Sequence, residues 1–153
     1  MLFRSLRYEP RLDLQGRNLA EAQADVTLRG GTFETTGLRV GTLSMADPQT
    51  GHYLTEMPLA PGMLGSPRII TGADAAFGVA NATAGAIAYD WRPVAEGGSI
   101  SAGAGQYALR RAEVFAGVVT RGGVGADVGM ARSRSDGSAR NGDHDFSRAS
   151  LRD

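Results

Sequence analysis

His52 and His144 are the only two histidines in a chain of 153 residues that contains no cysteine. Thiolate zinc sites, cysteine nucleophiles and disulfide frameworks are therefore excluded. Neither histidine belongs to an H-E-x-x-H or H-x-H pattern, so a metal site would need carboxylates gathered by the fold. Asp143 and Asp145 flank His144, but turn acids beside a strand are ordinarily solvated, and His144 reads as a loop residue. His52 lies in a denser cluster with Gln49, Thr50 and Tyr53, which offers donors, acceptors and a ring for stacking. No G-x-S-x-G elbow supports serine hydrolysis. Arg132, Arg134, Arg140 and Arg148 are interleaved with Asp136, Asp143 and Asp145, a mixed face rather than an anion patch.

One more pattern is chemical. Gly103-Ala104-Gly105-Gln106-Tyr107-Ala108 fits G-x-G-x-x-A, followed by the helix-compatible stretch Leu109 to Val118 and, further on, Asp127. Such a loop would hold a dinucleotide pyrophosphate on backbone N–H groups at a helix N-terminus. The strand feeding it, Gly98-Ser99-Ile100-Ser101-Ala102, is half polar, whereas a central parallel strand is a continuous apolar run. A nucleotide-binding enzyme using Gly103, Gly105 and Ala108 is thus an alternative reading.

Composition sets the frame for these residues. Arg supplies every one of the 16 positive charges, and 16 acids balance them. A neutral chain lacks the basic excess that meets phosphate, which argues against nucleic acid as a partner. There are 22 glycines, about twice the usual share of ~7%. The start of the chain is broken by Arg4, Arg7 and Glu9 before any apolar run of a secretory signal develops. The uncharged stretch from Ala75 to Tyr89 is shorter than the ~20 residues a spanning helix needs. The chain reads as a soluble protein, or as a fragment whose N-terminus is missing.

The elements that must position the residues fall into two halves. Up to about Pro93 the chain is irregular and turn-rich. A short helix is expected over Leu19–Ala24, with strands over Asp25–Arg29, Leu38–Val40, Arg68–Thr71 and Ala86–Trp91. Asp47-Pro48-Gln49-Thr50-Gly51 has turn spacing, which puts His52 and Tyr53 on a loop. After Gly97-Gly98 a period of two takes over: Ile100, Ala102 and Ala104, then Ala112 to Val118, then Val124 to Met130, with a weaker fourth segment from about Asp145. This alternation suits transmembrane β-strands and equally a soluble antiparallel sheet with one wet face.

The order of residues carries a resemblance. Ala24-Asp25-Val26-Thr27-Leu28-Arg29-Gly30-Gly31-Thr32-Phe33-Glu34 resembles the "xDVSIRGGTFEQT" segment of TonB-dependent outer-membrane receptors of the cobalamin and siderophore type. Asp47-Pro48-Gln49-Thr50-Gly51-His52-Tyr53 is similar to their "NDPQTGHH" loop, and Ala76-Phe77-Gly78 with Ala84-Gly85-Ala86-Ile87 to "ALYG…GGVINI". The three blocks stand in the family's order at about its spacing. The resemblance implies an α+β plug domain with a short central sheet over residues 1–93, its N-terminal part missing. The first antiparallel strands of a transmembrane β-barrel would follow over 97–153, truncated.

In function, the resemblance implies a bacterial outer-membrane receptor that takes up a scarce ligand such as a siderophore or cobalamin. The TonB complex would drive it through a TonB box not present in this chain. No covalent chemistry, cofactor or metal is implied, so the chain is not expected to be an enzyme. Gln49, Thr50, His52 and Tyr53 match the loop that faces the ligand, and Arg29 and Arg68 match positions of plug–barrel contact. The family's "LLDGV" appears as Leu38-Arg39-Val40-Gly41-Thr42, and "IEVLRGP" as Pro67-Arg68-Ile69-Ile70-Thr71-Gly72-Ala73. Arg68 stands where Glu is expected and Thr71 where Arg is, which implies altered locking of plug to barrel. A free-standing periplasmic or secreted binding module is the rival from outside the receptor class.

Overall fold

A computed structural model describes residues 6–16, 24–46 and 57–153, apart from the side chain of Arg7. The chain divides into two compact units, Met1–Glu56 with Gly65–Trp91, and Met57–Leu64 with Arg92–Asp153.

In the first unit, β1 (Leu12–Gly16) and β2 (Ala24–Leu28) form an antiparallel pair, with Leu12 opposite Leu28. The sequence of β2 alternates, and so does its burial: Ala24, Val26 and Leu28 are buried while Asp25 and Thr27 are half-buried. The strand ends in a turn closed by the Gly31 N–H donating to the Leu28 carbonyl at 2.9 Å, with positive φ at Arg29 and Gly30. Thr36 then ties the turn to the next strand. Its Oγ1 accepts from the Leu28 N–H at 3.1 Å and donates to the Thr32 carbonyl at 3.1 Å.

A second sheet has the order β4-β3-β6-β5, built from β3 (Thr36–Val40), β4 (Leu43–Ser44), β5 (Arg68–Ile70) and β6 (Gly85–Tyr89). β3 and β6 run parallel, and the other pairs are antiparallel. All five residues of β6 are buried, as a central strand of Ala, Ile and Tyr between two neighbours must be. Burial also pushes the Tyr89 phenol well above its ordinary pKa. A six-residue helix, α1 (Ala73–Gly78), buries Ala75 with Val79, Ala82 and Ala86. It stops where Gly78 ends its run of helix formers.

The second unit is a meander in the order β10-β9-β8-β7, formed by β7 (Gly97–Ala104), β8 (Arg110–Val119), β9 (Gly125–Ser135) and β10 (His144–Arg152). Every pairing is antiparallel. Asn141, at positive φ, and Gly142 turn the chain from β9 into β10.

The expected fold class, an α+β plug domain followed by the first strands of a transmembrane β-barrel, is not what forms. Among the described residues the chain is mostly β, in three separate sheets with the single helix α1. The reason lies in the helix-forming segments. Ala24 begins β2 instead of closing a helix over Leu19–Ala24, whose remaining residues lie outside those described. The Ala-rich run at 73–78 is cut short by glycine, leaving too little helix to build a layer against a sheet.

Candidate functional site

The meander of the second unit has two faces of different chemistry, because side chains alternate along each strand. The register places Ile100, Val114, Met130 and Ala149 in one cross-strand row, beside a row of Gly98, Ala116, Val128 and Leu151. This apolar face is the open one: Ile100 is 82%, Met130 56% and Leu151 80% exposed. The opposite face is mixed: it carries Phe115 and Phe146 together with Glu113, Asp127, Ser133, Ser135, His144 and Arg152, and there Asp127, Ser133, Ser135 and His144 are buried. The open face is the more uniformly apolar of the two, whereas in a water-soluble sheet the apolar side is the covered one.

What covers part of the polar face is the segment Met57–Leu64, in which Met57, Ala60, Met63 and Leu64 are buried. Its orphan backbone groups find partners on the strands. Glu113 accepts the Gly62 N–H, Ser150 Oγ accepts the Ala60 N–H at 3.3 Å, and Arg92 Nη1 donates to the Gly62 carbonyl at 3.2 Å. Gly129 leaves the space that Ala60 and Met63 occupy. Such satisfied bonds are what permit a polar sheet face to be buried.

Within that face Arg152 grips Asp127, directly opposite it in register, through both guanidinium nitrogens. Ser133 Oγ lies 3.3 Å from His144 Nε2, and the His144 ring stacks on Phe146 at 5.2 Å, with Arg148 over the far ring. The His144 Nδ1 is buried without a partner. A Ser–His pair needs a third group on that nitrogen to fix the tautomer for nucleophilic catalysis, so this pair is not arranged as an acyl-transfer site. Among the described residues no three His, Asp or Glu side chains converge on a common point. No helix there is long and apolar enough to cross a membrane.

On the open face the apolar rows end in charge. Ala102, Ala112, Arg132 and Ser147 form the next row, and Ala104, Arg110, Arg134 and Asp145 the one after. Arg132 holds Asp145 bidentately, at 3.1 and 2.8 Å. A groove of about 400 Å³ marks the border between apolar and charged rows, lined by Ala112, Val114, Met130, Arg132, Ser147 and Ala149 among others.

The sequence-expected site residues are distributed otherwise. Gln49, Thr50, His52 and Tyr53 lie outside the described residues. Arg29 is exposed on the turn after β2, and its N–H donates to the Arg11 carbonyl at 2.8 Å. Arg68 on β5 pairs with Asp90 at 2.7 Å, a carboxylate of its own unit. The dinucleotide pattern has no helix to serve it. Gly103 and Ala104 end β7, the Gly105 N–H donates to the Leu109 carbonyl at 2.9 Å, and β8 takes up residues 110–119. Asp127, the acid that follows the pattern, is buried against Arg152. His144 is likewise no solvated loop residue, since it begins β10 and is buried.

Sequence reasoning passed over Arg110 and the Asp127–Arg152 pair. Both become visible once the register is known, because each depends on which residue faces which across strands. No family model matches the chain, and no curated protein does.

Proposed function

We propose that the chain is part of a TonB-dependent outer-membrane receptor that binds a scarce ligand, a siderophore or cobalamin, and takes it up. The observation that carries this reading is the open apolar face of the sheet in the second unit. Its exposed Ile100, Val114, Val118, Met130 and Leu151 suit a hydrocarbon surrounding, and an apolar patch of this extent is costly in water. The ordered blocks of sequence add support, and two of them fall among the described residues. The "RGG" block makes the turn after β2, and the Gly85–Ile87 block makes most of the buried β6. Uptake of this kind needs differential binding and force, and no covalent step on the ligand.

Two results are expected. The protein in its native cell fractionates with the outer membrane, and Val114→Asp with Met130→Asp, placed in the middle of the open face, removes it from that fraction. A protein that remains in the soluble fraction before any substitution sinks the receptor reading in favour of a free-standing module. Separately, His52→Ala with Tyr53→Ala in the intact receptor should weaken cobalamin or ferric-siderophore binding by tenfold or more, about 1.4 kcal/mol, without changing its amount in the membrane. Affinity for all such ligands equal to that of the parent would remove this loop from the site.

A further inference from the structure

Resting on that membrane reading, we infer that the charged border of the open face is a binding site for an anionic phospholipid, whose phosphate sits among Arg110, Arg132 and Arg134. Arg110 and Arg134 are directly opposite each other across β8 and β9. Like charges facing across a strand pair repel, and Asp145, the one carboxylate in that row, is already held by Arg132. Three guanidiniums thus share one carboxylate, and the excess is unmet by any described side chain on this face. Neither side chain has a hydrogen bond or ion pair to a described residue of its own, and the one carboxylate that Arg134 feels, Asp145, is the one gripped by Arg132. A phosphate supplies what is lacking, since its oxygens accept from planar guanidinium forks in pairs.

The surroundings choose a lipid phosphate over a free one. The arginines stand at the end of continuous apolar rows, and the groove at their border runs from Arg132 and Ser147 to Val114, Met130 and Ala149. One ligand that is anionic at one end and hydrocarbon beyond it satisfies both parts. Its acyl chain lies over Ala112 and Val114, where small side chains leave room beside Met130. A second copy of the sheet would bring apolar surface but no unpaired anion, so it leaves Arg110 and Arg134 facing each other.

Flotation of the full 153-residue chain tests this, with vesicles of phosphatidylcholine alone and of equimolar phosphatidylcholine and phosphatidylglycerol. Binding to the mixed vesicles is expected to be about thirtyfold stronger, the scale set by two arginines near an anionic surface. Arg110→Gln with Arg134→Gln should bring it down to the level of the neutral vesicles, while Arg110→Lys with Arg134→Lys keeps most of the preference. Circular dichroism unchanged from the parent shows that the exposed substitutions leave the sheet intact. Equal binding to both vesicles overturns the site, as does a preference that survives the glutamine pair. Loss of the preference to millimolar inorganic phosphate, but not to sodium chloride of the same ionic strength, assigns the arginines to free phosphate and also overturns it. A chain found in the outer membrane that shows no anionic preference loses the lipid site and keeps the receptor reading.

Discussion

Gly85→Ala is expected to destabilise the first unit by about 2–6 kcal/mol. Gly85 opens β6 with φ of +140°, a conformation that side-chain-bearing residues rarely adopt. A Cβ there would run into Leu28 Cδ2, stand 2.9 Å from the Ile70 carbonyl and 3.2 Å from Thr71 Cγ2. Leu28 is fully buried and the carbonyl belongs to the neighbouring strand, so neither can move aside without opening the sheet. Overpacking of this kind costs roughly 1–3 kcal/mol, and the backbone strain adds ~1–3 more. The sum is a large part of the ~5–15 kcal/mol that holds a domain together. Gly30→Ala is the comparison, because its φ is also positive but nothing lies within 4 Å of the added carbon; it should cost only the strain. Fluorescence of the single tryptophan, Trp91, followed through a urea titration reads the first unit. Equal midpoints for the two variants would show that the contacts around β6 give way freely.

The strands of the second unit were legible because period two survives in Ile100-Ser101-Ala102, in Val114 to Val118 and in Ala126 to Met130. Three of the four strands fall where that alternation predicts them, and β10 begins at His144, one residue before the expected start. The direction of the faces was not legible. Alternation states that one side is apolar, but which side is covered depends on Met57–Leu64, a segment far away in the chain with no periodicity of its own. Leu109 to Val118 shows the same limit from another angle. Its residues are compatible with a helix, and the pairing of β8 with both β7 and β9 decides the matter, as tertiary context commonly overrides propensity. β1 was missed outright, since Leu12–Gly16 has only two apolar side chains and takes its form from pairing with β2.

The site was legible in part. The surplus of glycine is plain in the composition, but what Gly129 makes room for, Ala60 and Met63, shows only in the fold. The arginines among residues 132–148 read as one mixed wall, yet the pleat sends Arg132 and Arg134 to the open face and Arg148 to the covered one. A one-dimensional list of charges cannot separate the two, because the sign of a surface depends on which residues share its face. The same sorting that leaves three guanidiniums beside one carboxylate outside puts Asp127 and Arg152 together inside.

That inner pair carries the second large effect. Arg152→Ala should destabilise the second unit by about 3–5 kcal/mol, the usual consequence of stranding a buried charge. The Asp127 side chain is 1% exposed, and Arg152 reaches it from the facing position on β10 with both nitrogens. Truncating the arginine leaves a carboxylate on a covered sheet face beside Gly117, which the Ala95 backbone covers, where water cannot replace the lost bonds at full strength. Arg68→Ala breaks a pair of similar geometry in the first unit, but there both side chains are more than half exposed, and a cost of ~0–1 kcal/mol is expected. The double variant Asp127→Ala with Arg152→Ala separates pairing from desolvation. It should be more stable than Arg152→Ala alone, because it removes the orphaned charge together with its partner. Hydrogen exchange of the β9 and β10 amides reports the loss locally, and exchange no faster in Arg152→Ala than in the parent would mean that Asp127 is solvated. In that case the covered polar face, and with it the outward turn of the apolar one, would lose its physical basis.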